Sequence, residues 1–279
     1  MSPTNKLQDK LVIVIGGTSG IGFAVAKACV EHGAKVVVAG RSQGKVDGAI
    51  ERLRTVADEQ SKVRGYICDL SSPDVEENVR LLFDFATHNR DHKVHHIVNT
   101  AGQMGSPLAL KDTTAEDVLN ICQARVVGDV IIAKLSLQYL EASHTSSYTM
   151  TGGLGTYKPV AGYSVRDGLG GAKDALARSL ALEIKPIRVN LINPGAVQTE
   201  LFDQFAGMCG EEVIDGIRGK AVLGRIGQPE DLAEAYLGIM KNYFITGSIV
   251  NIDGEEDHMN RRMKKHDEGD GGKHTLEYS

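Results

Sequence analysis

Near the start of the chain, Ile15-Gly16-Gly17-Thr18-Ser19-Gly20-Ile21-Gly22 joins an apolar run to a helical pattern. A strand, a glycine-rich turn and a helix in that order make an anion site. Gly16 permits the tight turn, Gly20 lets the backbone approach a pyrophosphate, and Gly22 allows close packing, while the helix N-terminus faces the negative charge. Thr18, Ser19 and Ile21 complete the same loop. The chemistry implied is dinucleotide binding. The second apolar run ends Ala39-Gly40-Arg41-Ser42, with glycine where an acid would otherwise accept from a ribose 2′-hydroxyl. Arg41 offers a planar, permanently charged donor array suited to a 2′-phosphate, and Ser42 adds a hydroxyl. That pattern favours NADP(H).

The elements that must carry these residues alternate along the chain. Leu11–Ile15, Lys35–Ala39, Val63–Ile67, His95–Asn99, Ser147–Thr151, Ile187–Ile192 and Ser248–Ile252 read as strands. Their continuous Val/Ile content suits a parallel sheet covered on both faces. Helical patterns fall between them, notably at Ile21–Glu31, Pro73–Asn89, Glu116–Leu140, Gly168–Glu183 and Pro229–Lys241. Pro229 sits at a helix start, where its missing N–H does no harm. The fold class is α/β: a single Rossmann-type, doubly wound parallel sheet with helices on both faces.

A length of 279 residues suits one such domain and would cramp two. Residues 1–254 are assigned to it. From Glu255 to Ser279 charged residues and glycine dominate, with too few apolar residues to hold a core, so a mobile polar tail is expected. The net charge of −5 argues against nucleic acid or anionic membrane as a partner. There is no apolar run of transmembrane length, and the first residues lack the apolar stretch of a signal peptide. Cys29, Cys68, Cys122 and Cys209 form no Cys-x-x-Cys and read as reduced thiols of a cytoplasmic protein, without a metal site.

Taken together, Gly-x-x-x-Gly-Ile-Gly, Asp69-Leu70, Asn99-Thr100-Ala101-Gly102, Ile187-Arg188-Val189-Asn190 and Asn193-Pro194-Gly195-x-x-x-Thr199 resemble the short-chain dehydrogenase/reductase family. Gly224-Arg225-Ile226-Gly227-Gln228-Pro229-Glu230 and Ile245-Thr246-Gly247 extend the resemblance to about residues 7–254. It implies that Asp69 and Leu70 hold the adenine and that Asn99, Ala101 and Gly102 line the adenosine side. Pro194, Gly195, Val197 and Thr199 would meet the nicotinamide amide and the phosphates. By the same resemblance, the helices at Glu116–Leu140 and Gly168–Glu183 would pair copies into a homodimer or homotetramer.

The family's proton-transfer set of Asn, Ser, Tyr and Lys is altered. None of the eight tyrosines has a lysine four residues later. Arg125 stands in the Asn column, and Thr151 keeps a hydroxyl in the Ser column. Aligning back from Leu180-Ala181-Leu182-Glu183 puts Arg166 in the Tyr column and Gly170 in the Lys column. A three-residue shift would bring in Tyr163 and Asp167 instead, with Asp167 also suited to cap a helix before Gly168-Leu169. Both registers lose the lysine. Reducing a ketone needs a proton donor beside the reacting oxygen. A protonated imine or iminium carbon already carries its positive charge and simply accepts hydride.

The arginine at 125 and the stretches Thr18–Ala26 and Gly195-Ala196-Val197-x-Thr199 resemble atypical fungal members of prenylated indole alkaloid pathways. That group includes reductases coupled to an intramolecular Diels–Alder reaction and NADPH-binding Pictet–Spengler cyclases. Around Lys158-Pro159 the cyclisation-coupled reductases carry an aspartate after the proline; here Val160 and Ala161 follow. The resemblance therefore implies a small, indole-derived imine or iminium substrate, either reduced or closed into a ring with NADPH bound. Arg125 would orient or stabilise it, Thr151 and Tyr163 would donate hydrogen bonds, and Asp167 or Glu200 would accept a proton. An inactive NADPH-binding regulatory protein and a conventional carbonyl reductase using Tyr163 are the alternatives. Arg125 should also disfavour the cationic nicotinamide of NADP⁺. Titration by intrinsic fluorescence should show NADP⁺ binding more weakly than NADPH; equal affinities would count against that role.

Overall fold

The apolar runs become seven parallel strands in the order β3-β2-β1-β4-β5-β6-β7. The computed structural model describes residues 5–102, 108–159, 161–209 and 211–254; the polar segment 255–279 lies outside the described residues. The strands are β1 (Leu11–Ile15), β2 (Lys35–Gly40), β3 (Val63–Ile67), β4 (His96–Asn99), β5 (Ser147–Thr151), β6 (Arg188–Pro194) and β7 (Ile249–Ile252). Three match the expected spans. The others differ by one residue at an end, except β6, which begins one residue later and runs two further, through Pro194.

Between them lie α1 (Gly20–Glu31), α2 (Gln43–Arg54), α3 (Val75–Thr87), α4 (Ala115–Cys122), α5 (Gly128–Tyr139), α6 (Ser164–Glu183), α7 (Glu200–Cys209), α8 (Glu211–Arg218) and α9 (Pro229–Lys241). Alternate residues of each strand feed two cores, because successive side chains point to opposite faces. Ile13, Ile15, Val37 and Ala39 pack with α3, α5 and α6. Val12, Val14, Val36 and Val38 pack with α1, α2 and α9. The order of strands reverses between β1 and β4, so the crevice at their carboxyl ends is the natural ligand site. No helix among the described residues is long and apolar enough to cross a membrane.

Two helices differ from expectation near that crevice. The single span Glu116–Leu140 is broken: α4 and α5 are separated by a π-helical turn, Gln123–Val127, which contains Arg125. A wider turn of this kind displaces side chains from the regular helical stripe and is frequent at functional sites. The span expected from Gly168 instead begins at Ser164, with Tyr163 as its N-cap. Asp167 is therefore a residue of the first helical turn and not the cap.

Beneath the crevice, α5, α6, β4 and β5 meet at one carboxylate. Asp129 and Lys173 form an ion pair at 2.9 Å with side chains 0% and 3% exposed. Asn99 Nδ2 donates to Asp129 Oδ1 at 2.7 Å, and the Tyr148 hydroxyl donates to the same oxygen. Lys173 Nζ also donates to Thr151 O at the end of β5. Removing one member of such a pair leaves a buried charge without its counter-ion, which costs about 3–5 kcal/mol. Lys173→Met and Asp129→Asn should each lose stability on that scale in urea unfolding. The double variant should lose clearly less than their sum, since the amide still accepts from Asn99 and Tyr148; additive losses would refute the coupling.

Candidate active site

The turn after β1 is built around atoms that glycine alone leaves room for. Gly16 has φ +82°, and a Cβ there would lie 2.6 Å from Ala101 N. A Cβ on Gly22 would lie 2.2 Å from Gly16 O. Gly16 N donates to Ala39 O at 2.8 Å, tying the loop to β2, and Thr100 N donates to Ile15 O at 2.8 Å. The turn is thereby closed against β4 and leads into the N-terminus of α1. Glu200 Oε2 accepts from Gly20 N there at 2.9 Å. This loop already holds an anionic group against a backbone N–H of the kind that cradles phosphate.

The cleft above the sheet has a volume of about 1130 Å³. Gly16, Thr18, Ser19, Gly20 and Ile21 line it from the loop, and Arg41 and Ser42 from the end of β2. Asp69, Leu70, Ala101, Gly102 and Thr199 line it as well. Lys45, in the first turn of α2, stands on the same wall as Arg41. Sequence reading missed Lys45 because α2 buries only Val46, Ala49 and Leu53 and its apolar pattern is faint. These residues fit a nicotinamide dinucleotide: a phosphate cradle in the middle and cationic donors at the β2 end.

Other residues expected at the cofactor lie behind the wall. Asn99 is 2% exposed, with its amide nitrogen on Asp129 and its Oδ1 accepting from Ala101 N at 3.0 Å. It shapes the loop without lining the cleft. Pro194, Gly195 and Val197 also fall outside the lining. Gly195 backs onto Asp253, whose Cα would lie 2.7 Å from a Cβ at that position. Val197 is buried and bridges to Gly227. Cys68 does line the cleft, but burial, helped by Asp69, pushes its thiol up to about 12, so it is no nucleophile.

At the β5 side, Arg125, Thr151, Tyr163 and Arg166 share the cleft. Both candidate registers thus put their first residue on the cavity, while neither Asp167 nor Gly170 lines it. A Cβ on Gly170 would lie 2.4 Å from Thr156 Oγ1, so even alanine there would force Thr156 to move. Lys173, one turn further along α6, points into the core onto Asp129. The Thr151 hydroxyl, expected to serve the substrate, shares a hydrogen bond with the Tyr236 hydroxyl from α9. Asp167 is 9% exposed, and its Oδ1 accepts from Arg166 Nε and Nη2 at 3.0 Å each. Burial lowers the pKa of Arg125, and the charge of Arg166 lowers it further, against the opposing pull of Asp167 and Asp129. Glu200 lines the cleft at the glycine loop rather than beside these groups. Val160 lies outside the described residues.

A family model described as an SDR-like Rossmann domain matches residues 3–257. The short-chain dehydrogenase/reductase ucsE of Acremonium sp. is 42% identical over 253 residues, spanning 90% of this chain and 96% of that protein. The short-chain dehydrogenase/reductase malC of Malbranchea aurantiaca is 39% identical over 257 residues, spanning 90% and 97%. The solved MalC reductase/Diels-Alderase from that organism matches with a TM-score of 0.87 at 38% identity, covering 92% of this chain and 99% of its own. With its phosphate cradle, its parallel sheet and these relatives, the chain belongs to the short-chain dehydrogenase/reductase family.

Proposed function

We propose that this protein is an NADPH-dependent reductase of fungal-type secondary metabolism that delivers hydride to the carbon of an imine or iminium. One observation carries the reading. On the first turns of α6 the cleft meets an arginine, Arg166, with a glycine one turn further on, and the nearby lysine, Lys173, is withdrawn onto Asp129. A guanidinium does not surrender a proton near neutrality, so Arg166 is no general acid. A C=N carbon that is already positively charged asks for none.

When bound, the reduced nicotinamide supplies the hydride. The chain's own residues hold and orient. The N–H groups of the turn after β1 face the pyrophosphate, and Arg41, Ser42 and Lys45 take the 2′-phosphate. Arg125 and Arg166 present donors to the substrate, and Tyr163 forms the wall beside them.

Ring closure of the Pictet–Spengler type is the less favoured reading, because it must end with a base removing a proton from carbon. Asp167 is turned away under Arg166, and Glu200 sits against the glycine loop. Incubation with NADPH deuterated at its transferable C4 position, an indole-ethylamine and an aldehyde separates the two. Mass spectrometry should find deuterium in the product and a matching yield of NADP⁺. An unlabelled cyclised product with NADPH unspent would contradict the reductase reading.

A further inference from the structure

Helix α1 begins without a cap of its own. Its N-cap residue, Ser19, makes no side-chain hydrogen bond, and its first turn holds no acidic residue. Intrahelical bonding starts at Phe23, whose N–H donates to Ser19 O at 3.1 Å. The N–H of Gly20 is taken instead by Glu200 Oε2 at 2.9 Å, from the first residue of α7. The approach is tight, since a Cβ on Gly20 would lie 3.1 Å from Thr199 Cγ2. Thr199 in turn caps α7: its Oγ1 accepts from Phe202 N at 3.2 Å and its carbonyl oxygen from Asp203 N at 2.8 Å. Glu200 is thus placed between two helix N-termini, both of which favour negative charge. One of them is the end that a dinucleotide's pyrophosphate must face.

We propose that Glu200 is an internal competitor of the pyrophosphate and sets the affinity for the cofactor. A carboxylate and a phosphate cannot share one N–H donor, so the dinucleotide binds only as Glu200 swings off Gly20. The displaced side chain keeps its place at the start of α7, on the same cavity wall, where its charge repels the phosphates. Asp69, the other carboxylate among the lining residues, is held by its own turn, with the N–H and hydroxyl of Ser71 both donating to its Oδ1. NADPH and NADP⁺ carry the same pyrophosphate, so the penalty falls on both forms. It eases release of the spent cofactor, which every turnover requires. The inference rests on the dinucleotide site and is independent of the nature of the substrate.

The test compares the unaltered protein with Glu200→Gln and Glu200→Ala. Titration calorimetry follows NADPH, NADP⁺ and adenosine 2′-phosphate, which lacks the pyrophosphate. Both variants should bind NADPH and NADP⁺ about tenfold more tightly, the scale of one removed charge–phosphate repulsion. Adenosine 2′-phosphate should change by less than about twofold. Thermal unfolding without ligand should move the other way, by about 2 °C, because the N-terminus of α1 loses its anion. A residue with a merely structural role would weaken stability and cofactor binding together. Unchanged or weaker NADPH binding in both variants would overturn the proposal. So would an equal gain for adenosine 2′-phosphate, which would mean a general change of charge rather than competition at the cradle. Only binding and stability are read, so neither result depends on whether hydride is transferred.

Discussion

A single buried carboxylate organises the floor of the cleft. Asp129 lies 1% exposed in α5, where an unpartnered charge would be driven out of the folded state. It is tolerated because Lys173 from α6, Tyr148 from β5 and Asn99 from β4 all converge on it. The same partners reach the cleft. Asn99 Oδ1 accepts from Ala101 N, and Lys173 Nζ donates to Thr151 O at the tip of β5. Two strand ends and two helices are thus set relative to one another by donors that must all be present to satisfy one charge.

That arrangement bears directly on the chemistry. A lysine spent on a core ion pair does not reach a reacting oxygen, and Gly170 has no side chain to take its place. Beside Tyr163 the cleft meets two guanidiniums, which orient and attract anions but do not donate protons. Phosphate binding is kept by the turn after β1, whose close contacts involve backbone atoms and owe nothing to α6. The two halves of the site can therefore diverge: the cradle after β1 keeps its close backbone contacts while the residues on the first turns of α6 change.

Much of this was legible in the sequence, for identifiable reasons. β1, β2 and β4 announce themselves as Val/Ile runs because both faces of the sheet are covered, whereas β5, Ser147–Thr151, and β6 carry polar residues at buried positions. The glycines at 16, 20 and 22 are legible because their spacing answers to a fixed geometry. The start of α6 is hidden because its first turn, Ser164–Asp167, is mostly polar and the apolar rhythm begins later, so the sequence makes Asp167 resemble a cap. The π-helical turn is invisible in the sequence, as Gln123–Val127 are unremarkable residues for an α-helix. The Asp129 knot was missed for a related reason. Aspartate beside an apolar run reads as a solvated face, and its three partners come from distant parts of the chain. Asn99 lies buried beneath the cleft with its amide on Asp129 and Ala101 N, a placement that its neighbours in the sequence do not announce.

In the reduction proposed above, hydride delivery proceeds without a side-chain acid. The decisive substrate is an N-methylated cyclic iminium, whose positive charge does not depend on pH. Its reduction rate at saturating NADPH would be followed from pH ~6 to ~9, a window that a titrating catalytic group would mark with a slope of one decade per unit. Reduction without a side-chain acid gives a flat profile with no slowing in deuterated water. A rate that falls through a single ionisation, and that slows in deuterated water, would show a proton donor at work and contradict it.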